Sequence, residues 1–114
     1  MLMLAALVVL NWQSLVLTAA ILTAERRPAL LSDAEEGIPG SARKFAAQFK
    51  RGTSEASLLD WLNENRFTID RAADRANRLV KSLPCNEAIE IQWSRTPAGV
   101  IESASAQVHE AGCL

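Results

Sequence analysis

The chain has 114 residues, twelve basic and thirteen acidic, with a net charge of -1 and a pI near 5.8, so it lacks the basic footprint by which proteins hold nucleic acid. Aromatic residues make up 5% of it, with no Tyr, so base-stacking platforms are poorly supplied too. The mean hydropathy of +0.06 averages two unlike regions: residues 1–24 carry no charged side chain, and every charge lies in the remainder, which has room for one small domain.

As a helix the run from Leu2 to Ala24 would be roughly 35 Å long, enough for a hydrocarbon core of about 30 Å. Residues 1–24 are therefore expected to be a transmembrane anchor or a signal peptide. Asn11, Gln13 and Ser14 sit near the middle, where amides are costly in lipid. Thr18-Ala19-Ala20 offers the small residues that a signal peptidase reads, although no Lys or Arg precedes the apolar run. Arg26 and Arg27 follow directly and, by the positive-inside tendency, favour a cytoplasmic end there, whereas the two cysteines favour export. The expected location is an inner membrane with a periplasmic domain, or the periplasm or exterior if the leader is cleaved.

Residues 25–40 contain two Pro, two Gly and clustered charge without a sustained period, so they read as a linker, with the domain at residues 41–114. In Ser41 to Gly52, Phe45 and Phe49 share a helical face, Ser41 can cap and Gly52 can end the helix. A second helix follows Thr53 or Ser54, with Glu55 in its positive first turn, Leu58, Leu59 and Leu62 as its apolar stripe and Asn63 or Asn65 at its end. Residues 70–83 fit two patterns. Ala72, Ala76 and Val80 behind an Asp70 cap favour a third helix slightly, while residues 76–82 can also form a strand.

Ala88 to Ser94 alternates strongly, Thr96-Pro97-Ala98-Gly99 supplies turn residues, and Val100 to Val108 can return, which predicts a hairpin. Letting paired positions sum to 197 sets Ile89 against Val108, Ile91 against Ala106, Trp93 against Ala104 and Arg95 against Glu102. One face is then apolar and the other carries Glu90, Gln92, Ser94, Ser103, Ser105 and Gln107. In that register Cys85 falls opposite Gly112, one residue from Cys113, so a small bulge would join the pair in a disulfide closing a loop of about 29 residues. Leu58, Leu62, Ile89, Ile91 and Trp93 are the expected core. The fold class is thus α+β: a hydrophobic N-terminal helix, then two or three short helices on a C-terminal antiparallel hairpin or small sheet.

His109 is the single histidine, and with Cys85 and Cys113 it lacks the paired spacing of a zinc site, so no metal ligands are assigned. The glycines at 37, 40, 52, 99 and 112 are too dispersed for a phosphate loop, and no cofactor is expected. Asp33, Glu35 and Glu36 read as a solvated run, and Trp61 and Trp93 as core rather than a binding surface. No catalytic residue is assigned.

The segment Phe49-Lys-Arg-Gly-Thr-Ser-Glu-Ala-Ser-Leu-Leu59 and the hairpin bearing Trp93 resemble the small two-layer domain of the SmpA/OmlA group, which includes the lipoprotein of the outer-membrane barrel-assembly machinery. The resemblance covers about half the chain and implies a two-layer architecture and an envelope setting. It carries over no binding residues, because the leader has no lipoprotein cysteine and the Cys85 and Cys113 pair is not part of that group's pattern. The expectation is a non-catalytic envelope protein with a protein partner, bound to the membrane through residues 2–24 if the leader is retained and having no nucleic-acid partner. The alternative is a secreted inhibitor or immunity-type binder.

Overall fold

A computed structural model describes residues 25–82 and 84–113, so the leader and its expected helix lie outside the described residues. The described part is α+β: a four-stranded antiparallel sheet in the order β1-β2-β3-β4, with two helices. The strands are β1 (Thr68–Asp70), β2 (Arg75–Val80), β3 (Cys85–Arg95) and β4 (Ile101–Cys113), and the helices are α1 (Arg43–Gln48) and α2 (Glu55–Glu64). Among the described residues no helix is long and apolar enough to cross a membrane.

Helix α2 follows the expected chemistry at both ends. Ser54 caps it by accepting from the Ser57 N–H at 3.3 Å, and Leu58 and Leu62 are fully buried. At the C-terminus Phe67 N–H reaches Leu62 O (3.0 Å) and Arg66 N–H reaches Asn63 O (3.2 Å), the paired bonds of a Schellman motif. The residue that takes the left-handed conformation is Arg66, at φ 62°, rather than an Asn. Asn65 instead donates its side-chain amide to Trp61 O at 2.8 Å.

Helix α1 is capped from a distance. Ala42 occupies the N-cap without a side-chain bond, and Asp33 Oδ2 accepts from the Lys44 N–H at 3.1 Å. Ser41, the expected cap, is occupied elsewhere: its Oγ accepts from Glu35 N–H (2.7 Å) and donates to Ile38 O (2.9 Å). Phe45, Phe49, Trp61 and Phe67 form a chain of ring contacts, with centroids 5.1 to 5.6 Å apart, that joins the two helices.

The third helix expected over residues 70–83 is instead a turn and a strand. Asp70 Oδ1 accepts from the Ala73 N–H at 3.3 Å, the bond a helix cap would make, but Asp74 turns left-handed at φ 53° and ends the helical sense after one turn. Ala76 and Val80 then point inward from β2, and Arg78, between them, lays its guanidinium on Asn65 O at 2.9 Å. A two-residue alternation and a four-residue stripe share positions 76 and 80, so the sequence pattern alone could not separate them.

The β3–β4 pairing keeps the sum of 197 from Glu87 to Ser94, with Ile89 opposite Val108, Ile91 opposite Ala106 and Trp93 opposite Ala104. Two irregularities bound it. One between Cys85 and Glu87 sets Cys85 directly opposite Cys113, and one between Ser94 and Arg95 pairs Arg95 with Ile101, so the expected Arg95–Glu102 partnership does not form. Leu58, Leu62, Ile89, Ile91 and Trp93 all enter the core, along with Phe45, Val80, Ile101 and Val108.

Residues 25–40, expected as a linker, lie along the domain and give Leu31 and Ala34 to the same core. A single 3₁₀ turn over Ala29–Leu31 turns Leu31 inward. The outer edge of β4 is covered at its start and again at Val108: Gly52 N–H donates to Ile101 O (2.9 Å) and Ile101 N–H to Thr53 O (2.8 Å), while Gly37 N–H donates to Val108 O (2.8 Å).

Candidate interaction surface

Because residues alternate across a pleated sheet, burying Ile89, Ile91 and Trp93 under the helices turns Glu90, Gln92 and Ser94 to the other face. Register extends that face sideways into Asn77, Glu90 and Gln107 in one row and Arg75, Gln92 and Ser105 in the next. A third row holds Leu79, Ala88 and His109, and Leu79 is 47% exposed. His109 Nε2 lies 3.9 Å from Glu90 Oε1, a diagonal pair that becomes ionic when the imidazole is protonated. This face is mostly polar, with short hydroxyl and amide groups and one apolar corner, and it carries two small hollows of about 130 and 90 Å³, the second bordered by Pro39 and Gly40.

Titratable groups gather at the two ends of the sheet. At the turn end the Glu55 side chain is 8% exposed and accepts from Trp93 Nε1 (2.9 Å) and Arg95 Nη1 (3.1 Å), with Arg71 Nη2 at 3.8 Å. Burial works to raise the Glu55 pKa, but the indole and the two guanidinium groups outweigh it and hold the carboxyl below its ordinary value. The carboxylate therefore ties the first turn of α2 to the end of β3 and to the β1–β2 turn. Arg95 Nε also lies 3.7 Å from Asp74 Oδ1, which extends the network into that turn.

At the opposite, open end Arg27 is the hub. Its Nε and Nη2 donate to Glu87 at 2.9 and 2.6 Å, and its Nη1 donates to Ala34 O at 2.9 Å and Leu31 O at 3.3 Å. These bonds hold the 3₁₀ turn against β3. The hydrogen bond from Arg27 lowers the Glu87 pKa, and the reciprocal bond raises that of Arg27. Glu36, facing Glu87 across the same guanidinium, has its carboxyl pushed up chiefly by hydrogen bonding with Glu87. Arg27, read from the sequence as a topology signal, is thus a structural residue of the folded domain.

Cys85 and Cys113 stand at this same end, with Cα atoms 4.0 Å apart and sulfurs at the bonding distance of 2.09 Å. Glu110 lies near them, and the three side chains bring ligand atoms within 4.8 Å of one another, but sulfurs bonded to each other offer no thiolate to a metal. His109 contributes to the open face and not to this cluster. A shallow open cleft of about 540 Å³ runs beside α1, lined by Asp33, Glu35, Ile38, Pro39, Gly40, Ser41 and Arg43. The Glu55 and Arg27 networks were not visible in the sequence as sites. Their hydrogen-bonded side-chain pairs are 38 to 60 residues apart, and no local period marks them.

No protein-family model, no curated protein and no solved structure matches this chain.

Proposed function

We propose that this chain is a non-catalytic envelope protein, exported or anchored by its leader, that acts by binding another protein through the open face of its sheet. The observation that carries the reading is the conjunction of an uncharged 24-residue leader with a cysteine pair at bonding distance, since disulfides persist in oxidising compartments. A face of exposed Glu90, Gln92, Asn77, Ser103 and Ser105 with a Leu79 corner suits a polar, adaptable protein contact. The clustered carboxylates, Glu55 and Glu87, are engaged by guanidinium groups that tie elements of the fold together, which fits a structural use of these charges. An envelope setting is also what the SmpA/OmlA resemblance implies, and we extend it no further than that.

The secreted-binder alternative shares the face and differs in the leader. Mass spectrometry of the protein isolated from its cells separates them: retention of residues 1–20 supports the anchor, and a start at Ile21 supports the released binder. Crosslinking in the intact envelope supplies the other half of the test. A reproducible partner that is lost on changing Gln92 and Ser105 to Lys, with the fold retained, supports the open face as the contact, and undiminished capture contradicts it.

A further inference from the structure

The sheet takes hold of the chain at Glu25, the first described residue. Glu25 N–H donates to Lys81 O at 2.9 Å, and Lys81 N–H donates back to Glu25 Oε2 at 3.0 Å, so the first charged residue after the leader is already paired with the end of β2. Arg78 Nη2 lies 3.9 Å from the same carboxylate. Two residues on, Arg27 holds Glu87 of β3 and the carbonyl of Ala34.

Charge at this pole is distributed unevenly. The Arg27 and Arg78 guanidinium groups are taken up by Glu87 and Glu25. Arg26 and Lys81 are exposed and enter no ion pair among the described residues. Glu110, an exposed carboxylate of this pole, is on β4, two strands from β2 and so roughly 10 Å away. Arg26 and Lys81 are thus the cations next to Glu25 that no carboxylate takes up, while Glu36 and Glu110 are exposed carboxylates farther round the same pole. Anionic lipid headgroups attract Lys and Arg.

We propose that the pole formed by Glu25–Arg27, Lys81–Ser82 and Gly112–Cys113 faces the lipid headgroups of the membrane that holds the leader, and that the binding of Glu25 and Arg27 to the sheet sets the domain in this orientation. The inference rests on the anchored form of the proposed function. The Thr96–Gly99 turn is at the far end of the hairpin, and the eight residues from Glu87 to Ser94 alone span about 26 Å. The open face of the sheet then stands on edge to the bilayer, reachable by a partner approaching parallel to the membrane.

The test uses the full chain in lipid nanodiscs that carry a gadolinium-chelating headgroup, with backbone amide line broadening read residue by residue. Because the effect falls steeply with distance, broadening at Arg26, Lys81 and Gly112 is expected to exceed that at Ala98 and Gly99 by at least about fivefold over the span of the hairpin. Ten Gly and Ser residues inserted between Ala24 and Glu25 should erase the difference, because a flexible spacer lets the domain turn freely. Equal broadening at both poles of the unmodified chain overturns the orientation, and a gradient that survives the spacer overturns the junction as its cause. If the protein isolated from its own membrane lacks residues 1–20, the anchored reading fails and the orientation fails with it. An intact chain with uniform broadening defeats the orientation alone.

Discussion

At the turn end of the sheet one buried carboxylate, Glu55, gathers an indole and two arginines, whereas at the open end Arg27 shares itself between Glu87 and Glu36 near the surface, beside the Cys85–Cys113 pair. Both arrangements join chain segments that are distant in sequence. They do so at different depths, and depth sets what each is worth. Glu55 is out of water, so removing it strands the Trp93 N–H in the core, while Arg27 and Glu87 keep access to solvent that can replace a lost partner. The open end is correspondingly the one with a covalent clip.

The comparison breaks first if the shared middle of the sheet is removed. Ile91→Ala deletes a fully buried side chain on which both ends depend and is expected to cost about 2 to 5 kcal/mol in denaturant unfolding. A loss below about 0.5 kcal/mol would contradict its central place.

Replacing Cys85 and Cys113 together by Ser frees the open end and is expected to cost about 2 to 4 kcal/mol for a closed loop of this length. Hydrogen exchange should then quicken at Glu110 to Gly112 and leave Trp93 to Arg95 unchanged, because the turn end has its own clamp. Equal quickening at both ends would mean that the two are not independent.

Glu55→Gln probes the turn end and is expected to cost about 2 kcal/mol at neutral pH, since a neutral amide cannot satisfy the indole and the guanidinium as the carboxylate does. Its pH dependence follows from the direction of the shift. The folded pKa lies below the ordinary glutamate value of 4.5, so the stabilisation is fully present above that value and is lost as pH falls through the folded pKa. The gap between wild type and Glu55→Gln should therefore be constant near neutrality and narrow below about pH 4.5. A gap that widened on acidification would reverse the assignment.

The smallest effect concerns a residue outside both clamps. Arg66 holds a left-handed backbone at the end of α2, and Arg66→Gly should stabilise by about 0.5 to 1 kcal/mol in thermal or denaturant unfolding. Destabilisation would show that the Arg66 side chain contributes more than its backbone strain costs.

Helix α2 and the β3–β4 hairpin were legible because each repeats its own period: Leu58 and Leu62 recur at helical spacing, and Ile89, Ile91 and Trp93 recur at strand spacing. Residues 70–83 were not, because Ala76 and Val80 satisfy both periods and the decision falls to Asp74, whose left-handed turn is a local event without a pattern. The segment 25–40 looked like a linker because its Pro, Gly and charge hide single inward residues. Leu31 and Ala34 are placed by one 3₁₀ turn and by Arg27, whose partner lies 60 residues away. Arg95 missed its expected partner Glu102 because a register shift at Ser94 and Arg95 turned it toward Glu55, and nothing in the alternation announces a bulge.

The export reading and the clip at the open end meet in one measurement. Protein taken from its native cells with free thiols blocked at lysis, digested without reductant and mapped by mass spectrometry, should yield the peptides of Cys85 and Cys113 joined to each other. Recovery of both as blocked free thiols would contradict the oxidising compartment and, with it, the placement of this domain beyond the membrane.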